Sequence, residues 1–559
     1  MMSNKSQDNN IKNIGIIWFR NDLRLHDNLI LNTTIESIKE NKIDYVIPFF
    51  CYDIDQIDGI SREAKIERCG PIRRNFIIEC VDNLKSNLIK YLHSNLYISY
   101  GKPELEIVKL IDYVNATDSS IQIVRVISSK EVVTDEINTE NSLRRLLLER
   151  KIALQLVWDL TMIHLDDIPF NLTRDTLGFF TKSAVIDKDG NYNVRSPVSV
   201  PNNFSLPTYD PTKKSDWKET PIFKSKIETK GNDNNSKSAV SNLKGGEDEA
   251  MNRLSHYFFI LKGLKNYKGT RNGLIGVDYS SKLSLWLAYG CISARYIYSK
   301  IKLFERNNGS NSSTRQFAHF FLFRDYLKYY SYCFGRKIFF LNSNLIDNLE
   351  DYDDLLEVSS SFSALSIYGK KKWNKDKVAF EKWCNGETGY PFVDANMKEL
   401  NETGYMSNRG RQNVASFLAK DMEFDWRWGA EYFEKTLIDF DCAINWYMWR
   451  WCSGVGDGLS TEWHFNNVKQ AYDYDFNGDY VRLWLPQLHK VPIQFIHSPF
   501  RMSMTDQRRY SCIIGKDYPT PIVRIKNEWK QMNYDKALMN KSATNSKPKK
   551  SEFERFNDH

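Results

Sequence analysis

The stretch IGIIWFRNDLRLHDN, residues 14–28, decides the fold. Its first six residues are a short apolar run typical of a buried strand, and the polar residues after it are typical of a turn. A helix-compatible stretch follows. The same alternation recurs downstream, with strand-type runs at 44–52, 96–100, 121–129 and 152–158 and helical patterns at 73–91, 103–114 and 139–150. Such alternation predicts a parallel sheet covered by helices, a Rossmann-like α/β domain over residues 12–165.

Three further segments follow the α/β domain. From 166 to 244 the chain is rich in Pro, Asn, Ser and Lys, a composition that buries little apolar surface and predicts a linker. The apolar spacing then becomes helical, as in EAMNRLSHYFFILKGL, which predicts an all-α domain over residues 245–510. Residues 511–559 are predicted to be a basic, disordered tail. Its KSATNSKPKK stretch (541–550) is either an arm for nucleic acid or targeting or, as we expect, a solubilising end.

The composition excludes several classes of protein. The 559 residues carry a formal charge of +7 and are 42% hydrophobic and 14% aromatic, which excludes a disordered chain. No apolar run is long enough to cross a membrane, and the first residues lack the apolar core of a secretory signal. The nine cysteines are scattered, without zinc spacing. We therefore expect reduced thiols, no metal and an intracellular protein of the cytoplasm or nucleus, with an organelle left open.

The first candidate site is DYSSKLSLWLAYG, residues 278–290. Ser280, Ser281, Ser284 and Lys282 lie where an apolar helix is predicted to begin. Backbone N–H groups, hydroxyls and an ammonium at a helix start suit a phosphate. An ordinary capped helix explains the same residues and is the commoner case.

A glycine cluster, SGVGDG (453–458), has part of the spacing of a dinucleotide-binding loop. It follows WRWC instead of a hydrophobic strand, and it does not continue as GxGxxG. The cluster therefore predicts a flexible turn.

The stretch DFDCAINWYMWRW (439–451) places two carboxylates and an amide among tryptophans. Its members are Asp439, Asp441, Asn445, Trp446, Trp449 and Trp451. Tryptophans that fill a helical core explain the pattern. A pocket for a large planar π-system with polar groups at its edge explains it equally well.

The stretch GYMSNRGRQN (404–413) gathers planar amide and guanidinium groups. Within it, Arg411 could pair with a carboxylate such as Asp439 or face a phosphate. A solvated helix start is the alternative, and the residues alone do not separate the two.

Together, and in this order, these segments resemble the photolyase/cryptochrome family and, within it, the cryptochrome DASH branch. The opening WFRNDLRLHDN (18–28) is similar to the family's amino-terminal signature. YKGTRNG, DYSSKLSLWLAYGCIS, ETGYPFVDANMKELNETGYMSNRGRQ and DFDCAIN-x3-W follow in the family's order, and NRGRQ (408–412) favours the DASH branch. The match runs from Ile14 to about Pro492.

The resemblance implies an α/β antenna domain and a helical domain that holds FAD. On the matching positions the FAD-binding residues would be Tyr267, Ser280, Ser281, Lys282, Leu283, Ser284, Arg411, Asp439, Phe440, Asp441 and Asn445. The serines would face the pyrophosphate, Asn445 would lie by flavin N5, and Asp439 would pair with Arg411. A folate antenna, 5,10-methenyltetrahydrofolate, is implied in the first domain, with Glu131 as its contact.

The resemblance also implies an electron relay of three tryptophans. Trp449, Trp426 and Trp383 match the family's proximal, middle and distal positions, and would pass an electron to photoexcited flavin. Indole suits this role because it oxidises readily and needs no proton acceptor while charged. Core packing is the alternative for each residue, but a match at all three positions makes it insufficient.

The positions implied to contact DNA are Arg271, Phe320, Phe323, Asn408, Arg409 and Gln470, and Asn408 is also counted among the catalytic residues. In the family, reduced flavin donates an electron to a cyclobutane pyrimidine dimer, and the DASH branch favours single strands. A flipped dimer requires a pocket with stacking faces and polar edges.

The helix that lines the dimer pocket departs from the family pattern. It normally reads E-L-x-W-R-[DE]-[FY], and here it reads FFLFRDY (320–326). Phe320 matches a Glu that hydrogen-bonds the dimer, and Phe323 matches a stacking Trp. Loss of one such contact costs about 1–3 kcal/mol when the substrate group is left unpaired. Trp451 lies where DASH proteins usually have Tyr.

We therefore expect a monomeric, blue-light-absorbing FAD protein whose partners are single-stranded or damaged DNA, or RNA, and an unidentified signalling protein. It is either a light-driven lyase for dimers in single strands or a non-enzymatic photoreceptor. Phe320 favours the photoreceptor, and the retained DNA-contact positions favour the lyase. A dark redox flavoenzyme is disfavoured because no substrate acid/base pair stands out.

Overall fold

The structure, a computed structural model, describes residues 11–180, 191–199, 204–211, 239–240, 242–341, 373–455 and 464–525. The tail stretch 541–550, most of the predicted linker and the end of the glycine cluster lie outside these residues. The described residues form two compact units. Unit 1 holds the described residues up to 341 together with 400–406 and 425–455, and unit 2 holds 373–399, 407–424 and 464–525.

The strands are β1 (Lys12–Phe19), β2 (Tyr45–Asp53), β3 (Tyr97–Gly101), β4 (Ile121–Ser129) and β5 (Ala153–Val157). The helices that alternate with them are α1 (Leu29–Lys39), α2 (Ile54–Ile57), α3 (Pro71–Leu92), α4 (Pro103–Thr117) and α5 (Thr134–Glu149). The later helices up to the gap at 342 are α6 (Leu177–Phe180), α7 (Glu247–Ser255), α8 (Tyr267–Thr270), α9 (Ser284–Leu287), α10 (Ala294–Asn308) and α11 (Ser312–Phe334).

Beyond the gap the chain remains helical. Its helices are α12 (Lys377–Cys384), α13 (Pro391–Thr403), α14 (Asn408–Ser416), α15 (Trp426–Thr436), α16 (Cys442–Ser453), α17 (Asn467–Tyr474), α18 (Asp479–Trp484), α19 (Ile493–Ile496) and α20 (Met504–Arg509). In the described residues, no helix is long and apolar enough to cross a membrane.

The five strands form one parallel sheet in the order β3-β2-β1-β4-β5. Ile14 of β1 pairs with Tyr45 of β2 and with Ile123 of β4, so the opening stretch forms the central strand. Side chains of α4 and α5 such as Ile111 and Leu143 are fully buried against it. Burial on both faces explains why these strands are near-continuous apolar runs. The predicted fold class, a Rossmann-like α/β domain followed by helices, is confirmed.

The polar part of the opening stretch is buried and is not a solvated turn. Arg24 pairs with Asp159 at the end of β5, and Arg295 of α10 reaches both Asp159 Oδ1, at 2.7 Å, and Asp27 Oδ2, at 3.1 Å. The side chains of all four residues are at most 3% exposed. Buried charges are tolerated only when they are paired in this way. The network therefore fixes α10 against the carboxyl end of the sheet within unit 1.

A close approach of two backbones reinforces this junction. Gly290 has φ +63°, and a Cβ added there would lie 1.9 Å from the carbonyl oxygen of Asn21. The main-chain N–H of Leu23 donates to Tyr289 O at 3.1 Å. Only glycine fits this position, so the loop that carries the predicted cradle is held directly against the opening stretch.

The long helix α11 is anchored in the same part of unit 1. Its Asp325, fully buried, accepts the main-chain N–H groups of Met162 and Ile163 at 3.0 and 2.8 Å. Burial raises the pKa of Asp325 to about 7, against the lowering effect of these two hydrogen bonds. This anchor sets which residues of α11 face inward.

The predicted start of the disordered tail at 511 is wrong. In unit 2, Cys512 and Tyr518 are buried, and the Tyr518 hydroxyl donates to Asp394 Oδ2 at 2.5 Å. The Tyr390 hydroxyl donates to Val523 O at 2.8 Å. Residues 511–525 are therefore packed, because their aromatic and aliphatic side chains have partners far back in the chain. The other predicted domain boundaries stay predictions.

Candidate functional site

The loop 277–281 is held by one buried arginine of α7. Arg253 donates to the main-chain carbonyl oxygens of Ser281, at 2.9 Å, Ser280, at 2.9 Å, and Val277, at 3.2 Å. It also pairs with the Asp278 carboxylate at 2.7 Å. Because Arg253 occupies these carbonyl oxygens, the loop is left with N–H and hydroxyl groups to offer a ligand, and these are the groups that an anion requires.

The helix predicted to start in this stretch is only the single turn α9. Lys282, just before it, has φ +60°, a conformation that cannot continue a helix. The N-cap residue, Leu283, makes no side-chain capping hydrogen bond. The serines therefore do not form an ordinary capped helix. A turn as short as α9 also contributes little helix dipole.

Lys282 lies between two tyrosine rings. Its ammonium is 3.1 Å from the ring centroid of Tyr279 and 4.8 Å from that of Tyr405, and only 2% of the residue is exposed. Such contacts stabilise a partly desolvated cation. Lys282 therefore adds a fixed positive charge beside the serine loop.

The carboxylate of Asp441 forms a buried ion pair that the sequence did not reveal. Lys328 of α11 lies 2.8 Å from Asp441 Oδ2, and both side chains are less than a tenth exposed. Burial would raise the pKa of Asp441, but the positive charges of Lys328 and Arg324 and the hydrogen bonds to the carboxylate together outweigh it and lower that pKa. Asp441 also accepts the Ile444 N–H at 3.3 Å as the N-cap of α16. It is thus ionised and fixed in orientation.

The other predicted cofactor residues of the 439–445 stretch, Asp439, Phe440 and Asn445, are also buried in unit 1. Asn445 donates from Nδ2 to the carbonyl oxygen of Ala430 at 3.0 Å, which fixes its amide. Phe440 lies under the guanidinium of Arg73, with 4.5 Å from Cζ to the ring centroid. Asp439 is 7% exposed. Arg411 belongs to unit 2, and its pairing with Asp439 stays a prediction.

These groups suit the parts of FAD. The serine loop and the Lys282 charge match a pyrophosphate, and the fixed amide of Asn445 and ionised Asp441 match the polar edges of a flavin and its ribityl chain. The residues present therefore fit the cofactor, and the alternative that the tryptophans of 439–451 only fill a core does not account for the buried, oriented polar groups beside them.

All three tryptophans of the predicted relay are buried. Trp449 packs edge-on against Phe433, with 5.1 Å between ring centroids. Trp426 donates from Nε1 to Leu341 O at 3.3 Å in unit 1, and Trp383 donates to Val414 O at 3.2 Å in unit 2. The relay itself stays a prediction, since burial is also what core packing gives.

A fourth tryptophan contacts this set. Trp446 lies 5.6 Å, centroid to centroid, from Trp426 in a T-shaped arrangement, and its Nε1 has no partner among the described residues. The sequence singled out Trp446 only as part of the tryptophan cluster. Its contact with Trp426 depends on how α15 packs on α16, which spacing within one helix does not reveal.

The residues implied to contact DNA in unit 1 come together on one face of α11. The guanidinium of Arg271 lies over the ring of Phe320 at 5.3 Å, and the ring of Tyr267 meets Phe320 edge-on at 6.1 Å. One turn along α11, the half-buried ring of Phe323 stacks with Tyr326 at 6.2 Å. The face is aromatic and half-exposed, with Arg271 as its cation.

The corresponding residues of unit 2 lie on α14 and α17. Arg409 is 2% exposed, stacks over the Tyr474 ring at 5.0 Å and donates to Gln412 Oε1 at 3.1 Å. Asn408 is exposed, and Gln470 lies half-buried on α17. Since Arg409 and Gln412 are buried, the solvated helix start is the wrong alternative for this stretch.

Glu131 lines a cavity in unit 1 at the carboxyl ends of β1, β2 and β4. It accepts from Asn21 Nδ2 at 3.0 Å. Glu136 also lines the cavity, and one of its carboxylate oxygens has no partner among the described residues. Burial, and then the neighbouring Glu131, raise the pKa of Glu136 to about 8. The cavity holds about 110 Å³, and its lining mixes these carboxylates with aromatic and aliphatic side chains such as Trp18 and Phe50.

In the part of the chain that the structure describes, no group of three or more His, Cys, Asp or Glu side chains could hold a metal ion.

Two sequence models of protein families match this chain. One describes the FAD-binding domain of DNA photolyase and matches residues 355–536; the other describes DNA photolyase and matches residues 15–186. Together they cover the α/β part of the chain and the later portion of the helical part.

Individual proteins are similar over nearly the whole length. Cryptochrome DASH of Danio rerio is 36% identical and is matched over 92% of this chain and 91% of its own. Cryptochrome DASH of a Synechocystis strain is also 36% identical, over 91% of this chain and 95% of its own. The crystal structure of a Synechocystis cryptochrome has a TM-score of 0.78 at 34% identity, and the match covers 94% of this chain and 99% of that one.

Proposed function

The chain belongs to the cryptochrome DASH branch of the photolyase/cryptochrome family, and from that premise we propose that it is a blue-light photoreceptor that binds FAD and single-stranded nucleic acid. The observation that carries the choice is Phe320. Where the family pattern has a carboxylate to hydrogen-bond a dimer, this chain has a ring covered by the Arg271 guanidinium. A ring can stack on a base, but it cannot hydrogen-bond one.

FAD, when bound, supplies the blue-light absorption and the electron acceptor. The serine loop held by Arg253 would bind its phosphates, and Asn445 and Asp441 would orient the flavin end. Asp441 can do this because Lys328 keeps it ionised and α16 fixes its position.

The relay tryptophans would supply the electron. Trp426 and Trp383 each direct the indole N–H at a main-chain carbonyl oxygen. A carbonyl dipole in this orientation stabilises positive charge on the ring, so these two rings can hold the charge left by electron loss.

The relay is tested by flavin photoreduction in the purified holoprotein under blue light. Trp449→Phe should slow photoreduction at least tenfold, because phenylalanine is much harder to oxidise than tryptophan. The matched control is Trp286→Phe, since Trp286 is equally buried and donates to Lys244 O, outside the relay. Photoreduction at the wild-type rate in Trp449→Phe would show that the relay is wrongly assigned.

Light-driven repair of cyclobutane dimers in single strands is the second candidate. Arg271 and the half-buried Phe323 favour it, because they provide a cation and a stacking ring on one face of α11. Without the carboxylate, repair should be weak. Phe320→Glu should increase it by about five- to a hundredfold, the equivalent of one regained hydrogen bond to a substrate group.

We also propose that the cavity beside Glu131 takes a methenyltetrahydrofolate antenna. Asn21, Glu131 and the Glu136 oxygen that has no partner in the described part of the chain are suitable partners for the polar edge of a pterin. The enclosed volume of about 110 Å³ holds only part of such a ring system, so the rest would lie in the open mouth of the cavity. When the protein is titrated with the folate, a near-ultraviolet absorbance should stay with the protein. The Glu131→Leu variant should not retain this absorbance.

A photoreceptor must pass its state to another molecule. We propose a monomer that presents its flavin-dependent state to a signalling protein while bound to single-stranded DNA or RNA. Light-scattering of the holoprotein tests the first part: a single species near the chain mass of 65.5 kDa is expected, and a stable dimer contradicts it.

A further inference from the structure

A large cavity in unit 1 lies where the opening stretch, the end of α3 and the starts of α7 and α10 meet. It holds about 610 Å³, and among the described residues no lysine or arginine lines it. None of its lining residues is among those predicted to contact FAD, the folate or nucleic acid. We call it the acidic cavity; its charged and polar lining residues include His26, Asp27, Asn87, Glu247, Asp248 and Ser299.

The carboxylate of Glu247 lies in the wall of the acidic cavity without a cation. It accepts the main-chain N–H groups of Leu25, at 2.8 Å, and His26, at 2.9 Å, and lies 2.5 Å from His26 Nδ1. His26 Nε2 accepts the main-chain N–H of Ser293 at 3.3 Å, so the one imidazole proton is on Nδ1 and the ring is neutral. Three donors therefore fix the Glu247 carboxylate but leave its negative charge uncompensated.

Asp248 adds a second carboxylate, and Asn87 adds an acceptor. Asp248 accepts N–H groups only from the amides of Asn83, at 2.8 Å, and Asn87, at 3.2 Å, in the described part of the chain. Asn87 is 3% exposed, and both of its described hydrogen bonds are donated by Nδ2, which leaves its carbonyl oxygen without a donor there. The third carboxylate of the lining differs, because Asp27 pairs with Arg295 at 3.1 Å.

Two lysines lie near the acidic cavity without lining it. The ammonium of Lys90 is 4.6 Å from the ring centroid of Tyr91, and that of Lys300 is 4.7 Å from the ring centroid of Tyr296. The contact with Tyr91, more than the charge of Asp248, raises the pKa of Lys90. Lys90 is also exposed, so water and salt screen its charge. Neither lysine therefore replaces a cation inside the cavity.

Much of the remaining lining is apolar. Leu25 and Leu92 are buried, and Met251 of α7 is half-buried beside them. The segment 197–199 completes this wall. A hydrocarbon chain can pack on such side chains while a charged head remains at the carboxylates.

We infer that the acidic cavity binds an organic cation, an ammonium or guanidinium group carried on a short apolar chain. The cationic head contacts Glu247, Asp248 and the Asn87 carbonyl oxygen, and the chain packs on Leu92 and Met251. A metal ion suits the cavity poorly, since no group of three or more His, Cys, Asp or Glu side chains in the described residues could hold one. An anion such as a nucleotide would face carboxylates and no lining cation.

The test is calorimetric titration of the FAD-loaded protein with pentylamine at fixed ionic strength, with 1-pentanol as the neutral probe of equal chain length. Pentanol should bind about tenfold more weakly or less, the equivalent of one lost hydrogen bond to a charged group. Asp248→Asn should weaken pentylamine about two- to fivefold, because this carboxylate is exposed. The matched control is Glu249→Gln, which removes the same charge from the next residue of α7, outside the lining.

A second variant tests the place of binding. Ser299→Trp adds a large side chain to the cavity wall and should abolish pentylamine binding, while the FAD content and the melting temperature show that the protein is folded. Pentylamine that does not bind wild type, that binds no better than pentanol, or that binds wild type and Asp248→Asn equally would overturn the proposal. Equal binding by wild type and folded Ser299→Trp would also overturn it.

Two guanidinium probes distinguish the sources of the cation. Agmatine represents a free amine, and N-acetyl-arginine amide represents an arginine side chain of another protein. Binding of agmatine alone supports a small-molecule ligand, and binding of both supports a site that also accepts a protein side chain. Failure of both to compete with pentylamine would contradict a cation site. None of these results depends on the proposed function.

Discussion

The two faces of α11 differ in almost every physical respect. The inner face carries Asp325 and Lys328, both buried and each with a partner from another part of unit 1. The outer face carries Phe320, Phe323 and Tyr326, which are half-exposed and contact each other or neighbouring rings. The same helix thus fixes the Asp441 carboxylate on one side and presents aromatic rings on the other.

The difference shows that one helix can stabilise the fold with one face and bind a ligand with the other. Charges on the inner face cannot be removed singly without leaving a partner unpaired in a low-dielectric interior. Rings on the outer face can be changed at little cost to folding because water already reaches them. Substitutions on the inner face should therefore change stability and cofactor retention, and those on the outer face should change ligand binding.

The largest effect is expected from Lys328→Met. The substitution leaves the Asp441 carboxylate buried without its cation, which should lower the free energy of unfolding by about 3–5 kcal/mol and weaken FAD retention. Urea denaturation and the FAD content after gel filtration measure the two consequences.

Two controls isolate the ion pair. Lys328→Arg keeps the cation and should restore most of the stability. Lys328→Met combined with Asp441→Asn removes both charges and should be less destabilised than Lys328→Met alone. Equal stabilities for the single and double variants would mean that the pair contributes nothing.

Asp325 should give a pH-dependent effect. Its pKa is raised to about 7 in the folded state, above the roughly 3.9 of an unfolded aspartate, so the folded state binds a proton that the unfolded state lacks between these values. This group therefore stabilises the fold increasingly as pH falls from about 8 to 4. The stability advantage of wild type over Asp325→Asn should be larger at pH 5 than at pH 8; a constant difference across that range would contradict the assignment.

On the outer face, Arg271→Gln should reduce affinity for single strands several-fold at low salt, with a smaller slope against salt concentration. Its effect on the urea midpoint should be slight, because Arg271 is partly exposed. A large loss of stability with unchanged affinity would place Arg271 in the framework of the fold and not on the binding face.

The smallest effect is expected from Phe323→Leu. The ring is half-buried, so the free energy of unfolding should change by less than about 1 kcal/mol. Binding of single strands should weaken more than stability does, since leucine has no stacking face. Calorimetry and fluorescence anisotropy on the same preparation compare the two.

Much of the fold and of the difference between the two faces of α11 could be predicted from the sequence, and the rest could not. Alternating strand and helix patterns predict the sheet, because burial on both faces leaves a local signal in runs such as IGIIWF. The spacing of Phe320, Phe323 and Tyr326 likewise places them on one face of a helix. By contrast, the partners of Lys328 and Asp325 lie more than a hundred residues away, at Asp441 and Met162, and no local pattern encodes such pairing.

The lack of a local signal for distant contacts also explains the two sequence predictions that were wrong. From the sequence, residues 511–525 are predicted to begin a polar tail. In the structure, Tyr518 instead forms a hydrogen bond with Asp394. The helix predicted across 278–290 shrinks to one turn because Lys282 adopts a positive φ against Tyr279 and Tyr405, which are contacts that periodicity does not contain.

We propose that flavin photochemistry is retained in this protein and that dimer repair is weak or absent, because Phe320 stands where the family pattern has a carboxylate. Purified holoprotein can be given dimer-containing single-stranded DNA under blue light, with flavin reduction followed by absorbance and restored thymine by chromatography. We predict rapid flavin photoreduction, strand binding and little or no restored thymine in wild type, with repair gained in Phe320→Glu. Efficient repair by the wild-type protein would contradict the account.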